Sequence, residues 1–269
     1  MIDISVVIPT FRRPVLLREA IQSVLDQQQV STEIIVVDDS PEGSAQEVVD
    51  GFHDSRLTYM QCNPPSHGKP ALVRNVGWPK ARGRFVQFLD DDDRVAAGFY
   101  HNAIEAFAAH ADCGVVFGRI EPCGDGEHSA MAHEHAFFAD AARRARVASR
   151  IGSRRWMVAN LLFRPTLLVN SACIIRRECI ASLDGYDTTL GLNEDVDFFC
   201  RAIRNFGFVF LDRVVLHYRI IADSLMHGRA NDAQLVTAYN KMYARYRQNH
   251  GAAELLAMKV LARTVLRIF

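Results

Sequence analysis

The chain has 269 residues, 49% of them hydrophobic, and its 31 basic residues balance 31 acidic ones to a formal net charge of zero. This length suits one large α/β domain or two small ones, and this apolar fraction can build a substantial core. Zero net charge gives no global attraction to nucleic acid, so we expect no nucleic-acid partner. No apolar run reaches the ~18 residues that span a bilayer.

Six cysteines are present, and no two of them have CxxC spacing. A chain of this size does not need a disulfide framework, so we expect reduced thiols. The N-terminus enters an apolar strand at once, without the basic and apolar regions of a signal peptide. Together these features predict a cytoplasmic protein.

Strands and helices are predicted to alternate through the first part of the chain. Strands are expected at 4–9, 33–39, 57–61, 84–89 and 114–119, and helices at 12–28, 44–51, 67–77 and 96–109. Alternation of this kind predicts an open, mostly parallel sheet with right-handed crossovers. Ligands of such sheets bind beyond the C-terminal ends of the strands.

Polar residues follow three of these predicted strands. Thr10 follows the first, Asp39 the second, and the run Asp90, Asp91, Asp92 and Asp93 follows the strand at 84–89. Four adjacent carboxylates repel one another and need a counter-charge. Mg²⁺ binds one or two carboxylates together with substrate phosphates, so the sequence predicts a metal-assisted nucleotide diphosphate site at this edge.

The second part of the chain is less regular. His133 and His135 are expected in an exposed loop rather than in a metal site, and the arginines between 143 and 155 on a solvated helical face rather than in a phosphate site. Further elements are predicted as strands at 167–175, 208–211 and 214–218, and as helices at 176–183 and from 194 onward. The positive end of the helix dipole stabilises the carboxylates at the start of that last helix.

The tail from 229 to 269 is predicted to be helical, with basic residues interleaved among apolar ones. A basic amphipathic helix is typical of contact with an anionic membrane surface. Packing of the same apolar residues back onto the domain is the alternative, and both remain open from the sequence.

Five segments together resemble the family 2 glycosyltransferases, whose GT-A fold binds nucleotide sugars. They occur in the family's order between about residues 4 and 225: the opening strand at 6–11, a VVDDxS-like segment at 35–40, a GxxxARNxG-like segment at 68–77, an FLDxDD-like segment with the DxD motif at 88–93, and an ED-like segment at 193–198 followed by Arg201. Each motif alone is weak, whereas five in order are specific.

The resemblance implies an α/β GT-A fold, which is a Rossmann-like, open, mixed, mostly parallel sheet flanked by helices, with a helical C-terminal segment. It implies a glycosyltransferase domain at 1–228, with a nucleotide-binding half at about 1–120, an acceptor-binding half at about 121–228, and a C-terminal extension at 229–269. The implied enzyme is an inverting, metal-dependent glycosyltransferase of polysaccharide biosynthesis that uses a nucleotide sugar, with UDP as the expected nucleotide.

The resemblance also implies site roles. Asp195 is expected as the general base, Asp92 as the ligand of Mn²⁺ or Mg²⁺, and Glu194 on the acceptor side. Asp39 would accept a hydrogen bond from the base, Asp90 would reach the ribose, and Arg74 would face the diphosphate. The full expected donor-binding set is Pro9, Thr10, Phe11, Arg12, Asp39, Arg74, Asp90 and Asp91.

One position departs from the family pattern. Ile221 stands where a histidine often supplies another metal ligand, and His217 and His227 are out of register. Either water replaces that ligand, or the metal binds only together with the nucleotide.

Two alternatives to the transferase are a metal-dependent nucleotidyltransferase and an inactive protein that binds sugar nucleotides or glycans. The absence of a Gly-rich, lysine-bearing loop after the first strand counts against the first of these. The acceptor, which could be a glycan, a lipid-linked oligosaccharide or a small molecule, is expected to contact residues 121–169.

Overall fold

The computed structural model describes residues 1–124, 128–165, 167–221 and 232–264. Its strands are β1 (Ile4–Thr10), β2 (Thr32–Asp38), β3 (Leu57–Gln61), β4 (Phe85–Phe88), β5 (Arg94–Val95), β6 (Val115–Cys123), β7 (Cys173–Arg176) and β8 (Phe208–Arg219). Its α-helices are α1 (Pro14–Leu25), α2 (Gln46–Asp50), α3 (Pro70–Gly77), α4 (Phe99–Ala109), α5 (His128–Ile151), α6 (Arg154–Phe163), α7 (Arg177–Ser182), α8 (Glu194–Phe206), α9 (Asp232–His250) and α10 (Ala252–Thr264). The strands form one sheet in the order β3-β2-β1-β4-β7-β6-β8-β5.

The first half of the sheet is parallel, as predicted. β1 pairs in parallel with β2 and β4, and β2 pairs in parallel with β3. β1 and β2 are apolar and almost entirely buried, as expected for strands covered on both faces. A Cβ on Gly77 of α3 would lie 2.5 Å from Val7 Cγ1, so this glycine lets α3 pack directly on the sheet.

The second half of the sheet is mixed. β7 lies antiparallel between β4 and β6, β8 runs parallel to β6, and β5 closes the edge antiparallel to β8. The predicted strands at 208–211 and 214–218 are one strand, β8, whose register against β6 shifts near Arg119. The predicted strand at 167–175 is wrong in its first part, because Asn170–Ala172 forms a 3-10 helix and the strand begins at Cys173.

The loop predicted around His133 is wrong, since this residue and His135 lie within α5, with exposed side chains. Residues two apart in a helix do not share a face, so these histidines are poorly placed to bind one ion. The basic stretch does lie on helices, but Arg144 is buried and bonds to Asp140 and to the carbonyl of Pro165. It is therefore an anchor between α5 and the loop after α6 rather than a solvated charge.

Helices α9 and α10 pack on the domain through buried residues that include Met242, Tyr246 and Met258. The Tyr243 hydroxyl donates to the carbonyl of Leu162 at 2.9 Å, which joins α9 to α6. Packing is thus one role of the tail's apolar residues. Within the described ranges, no helix combines the length and apolarity needed to cross a bilayer.

Candidate active site

The C-terminal ends of β1, β2 and β4 lie side by side, because β1 pairs in parallel with both neighbours. Thr10 at the end of β1 is in register with Asp38, and its carbonyl accepts from the amide of Asp39 at 2.9 Å. The strand-end residues that the sequence predicts to converge are therefore on one rim of the sheet. The start of α8 joins this rim through the contacts described below.

Two adjacent aspartates at the end of β2 have different surroundings. Asp38 is fully buried and accepts from the amides of Ser40 and Ala45 at 2.9 and 2.8 Å, so it shapes the loop that follows. Asp39 is also buried, and its two oxygens accept from the amide and the hydroxyl of Ser66 at 2.5 and 2.6 Å. These bonds fix the orientation of the Asp39 carboxylate at the rim.

We call Asp90, Asp91, Asp92 and Asp93 the acidic turn. Arg13, which the sequence analysis did not single out, donates from Nη1 to Asp92 Oδ2 at 2.7 Å and to Asp91 Oδ1 at 3.1 Å. The Thr10 hydroxyl donates to the other oxygen of Asp91 at 2.7 Å. The only sequence signal for Arg13 is its position just beyond the end of β1, at the edge where ligands bind.

Electrostatics in the acidic turn favour a bound cation. Burial and the neighbouring Asp92 raise the pKa of Asp91 to about 6. Burial and Asp90 raise the pKa of Asp92, and burial together with Asp92 and Asp90 raises the pKa of Asp93 well above its usual value. Arg13 opposes the shift for Asp91 and Asp92 but does not abolish it. A bound cation would relieve the remaining repulsion.

The donor set of the acidic turn fits a hard divalent cation that takes one or two carboxylates and completes its shell with phosphate oxygens and water. In the described part of the chain, no cluster of three or more His, Cys, Asp or Glu side chains is arranged to hold a metal. His217 pairs with Glu121 at 3.0 Å, and Ile221 is half-buried. His227 lies outside the described residues. Asp92 thus remains the predicted protein ligand.

Arg74 connects the acidic turn to the start of α8. It is buried, and it donates from Nη1 to Glu194 at 2.8 Å and from Nη2 to Asp90 at 2.8 Å. With the Asn170 amide oriented so that its oxygen faces Arg74, that oxygen accepts from Nε at 2.7 Å while the amide nitrogen donates to the Tyr186 hydroxyl. The neighbouring carboxylates outweigh burial and raise the pKa of Arg74. Glu194 therefore lies against Arg74 as a buried ion-pair partner.

We call Glu194, Asp195 and Asp197, all in the first turn of α8, the helix-start cluster. Glu194 pairs with Arg74, and Asp197 pairs with Arg201 at 2.8 Å. Asp195 accepts from the backbone amide of Val196 at 2.8 Å, and no ion pair is formed with it by any residue that the structure describes. Burial and the adjacent Glu194 raise the pKa of Asp195 to about 6, against the opposing charge of Arg74.

Three other predicted donor-binding residues lie at the end of β1 and after it. Pro9 is half-buried within β1, and Phe11 is exposed just beyond it. Arg12 points away from the acidic turn, since its guanidinium donates to Glu42 at 2.6 and 2.9 Å and lies 5.0 Å from the centre of the Phe11 ring.

A buried polar network supports the acidic turn from below. The Ser171 hydroxyl accepts a hydrogen bond from the amide of Asp90 at 3.0 Å. The Ser171 carbonyl accepts from the side-chain amide of Gln87 at 2.6 Å, and the Gln87 side-chain oxygen accepts from the Tyr100 hydroxyl at 2.5 Å. This network was not predicted from the sequence. Gln87 and Ser171 stand within otherwise apolar runs of the sequence. Since buried polar groups need hydrogen-bond partners, these two residues could have indicated the network.

Comparison with solved structures identifies the fold. S. aureus TarS 1-349 in complex with UDP-GlcNAc superposes with a TM-score of 0.70 at 16% identity, over 98% of this chain and 72% of that one. The mannosyltransferase PcManGT from Pyrobaculum calidifontis, in complex with GDP-Man and Mn²⁺, gives a TM-score of 0.62 at 18% identity, over 98% of this chain and 73% of that one. The protein has the Rossmann-like GT-A fold, with a helical C-terminal segment.

The sequence model described as glycosyl transferase family 2 matches residues 5–173, which is more than half of the chain. The chain belongs to that family of glycosyltransferases. The match ends before α8, so Asp195 lies outside the matched residues.

Two curated relatives match shorter stretches. One is the GalNAc(5)-diNAcBac-PP-undecaprenol beta-1,3-glucosyltransferase of Campylobacter jejuni, 40% identical over 100 residues, which are 36% of this chain and 32% of the relative. Another is the minor teichoic acid biosynthesis protein GgaB of Bacillus subtilis, 33% identical over 115 residues, which are 40% of this chain and 12% of the relative. The matches thus span about a third or less of these relatives.

Proposed function

We propose that this glycosyltransferase moves a sugar from a UDP-sugar to an acceptor hydroxyl with inversion of the anomeric configuration. Asp195 is the general base and Asp92 is the protein ligand of a divalent metal, Mn²⁺ or Mg²⁺. The observation that carries the proposal is the state of Asp195. It is the one member of the helix-start cluster without an ion pair to a described residue, and it lies close enough to the acidic turn for Asp90 to raise its pKa.

The chemistry of Asp195 suits proton transfer from an acceptor. A pKa of about 6 leaves the carboxylate ionised at neutral pH, yet more basic than an ordinary aspartate. The amide of Val196 holds Oδ1, so Oδ2 is left to take the proton as the hydroxyl attacks the anomeric carbon. A single displacement of this kind inverts the configuration.

The leaving nucleoside diphosphate gains negative charge as its bond to the sugar breaks. Asp92 would hold a divalent metal beside the diphosphate, and that metal would supply Lewis-acid stabilisation of this charge. Arg74 positions both carboxylate clusters by bridging Asp90 and Glu194, and its own buried charge adds to the positive field. Its bonds to protein carboxylates make it a positioning residue rather than a direct phosphate ligand.

Uridine is the proposed base of the donor. The fixed carboxylate of Asp39 can accept from the N3–H of uracil, which would share the carboxylate with Ser66. UDP-GlcNAc is bound in the TarS structure and GDP-Man in that of PcManGT, so a nucleotide sugar is supported more strongly than a particular base.

A growing glycan, free or lipid-linked, is the proposed acceptor. The names of the Campylobacter and Bacillus relatives refer to an undecaprenol-linked oligosaccharide and to teichoic acid. A membrane contact would suit such an acceptor. On the outer side of α10, Leu256 and Val260 are 63% and 52% exposed, and Lys259 and Arg263 share their face at helical spacing. We assign this stripe to peripheral contact with anionic lipid.

Release of free nucleotide from a panel of UDP-, GDP- and dTDP-sugars, measured with Mn²⁺ and with EDTA, tests the proposal. Metal-dependent release of UDP that increases with added glycan acceptor is expected. Release of pyrophosphate from a nucleoside triphosphate would indicate a nucleotidyltransferase instead. Tight binding of a sugar nucleotide without any turnover would indicate an inactive binding protein.

A further inference from the structure

We propose that Arg13 occupies the metal-binding carboxylate of Asp92 when neither metal nor donor is bound, and that its guanidinium moves to the diphosphate when the donor binds, which frees Asp92 for the metal. This inference rests on the proposed function, because it assumes a metal at Asp92 and a nucleoside diphosphate beside it. It assigns to Arg13 a role that neither the motifs nor the family resemblance gave it.

The contact is a single-atom bridge. Nη1 of Arg13 lies 2.7 Å from Asp92 Oδ2 and 3.1 Å from Asp91 Oδ1. The side chain of Arg13 is 36% exposed, compared with 17% for Asp92 and 6% for Asp91. The arginine therefore reaches the carboxylates from the solvent side, where it can move without disturbing the core.

A metal at this oxygen would be opposed by the charge of Arg13. Mg²⁺ would lie about 2 Å from a carboxylate oxygen, which puts two positive charges within a few ångströms of each other. A metal alone therefore binds Asp92 more weakly while Arg13 keeps this contact. A diphosphate removes this obstacle because it offers the guanidinium a new pair of anionic oxygens.

Arg13 can keep Asp91 as a partner when it leaves Asp92. Its Oδ2 is held by the Thr10 hydroxyl at 2.7 Å, and its Oδ1 faces Arg13, so the arginine can leave Asp92 and stay anchored to Asp91. Arg74 has no comparable freedom, since it is buried between Asp90 and Glu194. Of the two arginines that pair with carboxylates of the acidic turn among the described residues, Arg13 is thus the more movable.

The proposal predicts opposite changes in the affinities for metal and for UDP when Arg13 is removed. Removing Arg13 should strengthen the binding of metal alone, because its competitor is gone. The same change should weaken the binding of UDP without metal, because a phosphate partner is gone. In the wild type, nucleotide and metal should each raise the affinity of the other by the same factor.

The test compares Arg13→Gln with wild type and with Arg18→Gln, which removes the same charge from an exposed position on α1. Mn²⁺ binding without nucleotide is followed by electron paramagnetic resonance, and UDP binding in EDTA by calorimetry. We expect Arg13→Gln to bind Mn²⁺ about tenfold more tightly and UDP about tenfold more weakly, the effect of one charge-assisted hydrogen bond. Arg18→Gln should match wild type in both measurements.

Arg13→Lys provides a second variant that retains the charge and should keep Mn²⁺ affinity near that of wild type. Unchanged Mn²⁺ affinity in folded Arg13→Gln would overturn the exchange. Tighter Mn²⁺ binding with unchanged UDP affinity would overturn the transfer of Arg13 to the diphosphate. Failure of the proposed function is distinguishable, because wild type would then bind no UDP with or without Mn²⁺, and the inference would be overturned with it.

Discussion

The acidic turn and the helix-start cluster both place carboxylates within a few residues of one another, but their counter-charges differ. In the acidic turn, Arg13 reaches Asp91 and Asp92 from the solvent side and Arg74 reaches Asp90 from within. In the helix-start cluster, Arg74 pairs with Glu194 and Arg201 pairs with Asp197, whereas Asp195 accepts from a backbone amide and has no ion pair to a described residue.

This difference separates two kinds of chemistry. Carboxylates whose mutual repulsion is only partly neutralised are suited to bind a further cation. A lone ionised carboxylate of raised pKa, held rigidly between neutralised neighbours, is suited to accept a proton. The predictions below alter one cluster at a time, so that each tests whether the two roles are separate.

The largest expected effect is on turnover in Asp195→Asn, which keeps the size of the side chain but removes the base. Turnover should fall by about 10²–10⁴-fold, the usual contribution of a positioned base. UDP affinity, measured by calorimetry, should stay within about twofold, because the base acts on the acceptor. Near-normal turnover in folded Asp195→Asn would contradict the mechanism.

Asp197→Asn is the matched control. It should lower the free energy of unfolding by about 1–3 kcal/mol, since it breaks a buried bond to Arg201. Its turnover per folded molecule should change little. Asp195→Asn should not lose stability at pH 7, because a raised pKa means that the ionised form of Asp195 is disfavoured in the folded protein. Glu194→Gln is unsuitable as a control, since it removes a buried partner of Arg74.

The second prediction concerns pH. Because the pKa of Asp195 is about 6, the base is increasingly protonated below that pH. Turnover at saturating donor and acceptor should therefore fall about tenfold per pH unit on the acid side of pH 6 and level off above it. A rate profile without this limb between pH 5 and 7, in a protein that stays folded, would mean that another group takes the proton.

The third prediction removes the proposed metal ligand. Asp92→Ala should reduce the gain in UDP affinity that Mn²⁺ produces by about 10–100-fold, while the affinity in EDTA changes less. Calorimetric titration of UDP with and without Mn²⁺ measures both values. An undiminished Mn²⁺ effect would exclude Asp92 as the ligand.

The fourth prediction tests the base-recognition carboxylate, which lies outside both clusters. Asp39→Ala should weaken UDP binding in EDTA by about tenfold, because one charge-assisted hydrogen bond to uracil is lost. The Mn²⁺ effect should be preserved, in contrast to Asp92→Ala. If UDP binds equally well to the variant in EDTA, Asp39 does not contact the base.

The smallest effect is expected at the membrane-facing stripe of α10. Deleting α10 would uncover α6, so the charge reversals Lys259→Glu and Arg263→Glu are better probes. Each should weaken co-sedimentation with anionic vesicles by several-fold, since a basic residue near the surface contributes about 1 kcal/mol. The control is Lys80→Glu, which reverses a basic charge in the short helix Trp78–Lys80, far from α10 in the sequence. Equal binding by all variants would leave only the packing role of α10.

The sequence predicted the parallel half of the fold well because its signals are local. The apolar runs of β1 and β2 and the polar residues after them are visible over a few positions, and parallel pairing places their ends on one rim. The strand at 57–61 and the carboxylates of the site were predicted in the same way. Asp39, Asp92 and Asp195 lie at the positions in strand ends and at a helix start where the motifs placed them.

The parts of the fold and of the site that were not predicted depend on contacts between residues far apart in the sequence or on weak periodic signals. The N-terminal part of α5, around His133, was predicted as a loop. The buried face of this helix is largely alanine, as at Ala141, Ala145 and Ala148, and small residues give a weak periodic signal. The role of Arg13 depends on a partner 79 positions away. The 3-10 helix at Asn170–Ala172 replaces a strand because the polar groups of the site require partners there.

The bridge made by Arg74 also bears on how the chain folds. Its two carboxylate partners lie 16 and 120 positions further along the chain, so the second contact closes a long loop and contributes to a high contact order. During synthesis α3, which carries Arg74, and the turn that carries Asp90 emerge well before Glu194. Until α8 docks, the arginine has only half of its buried counter-charge. Completion of the catalytic centre therefore waits for α8 to dock, and a nascent chain that stops short of α8 leaves Arg74 with Asp90 but without Glu194.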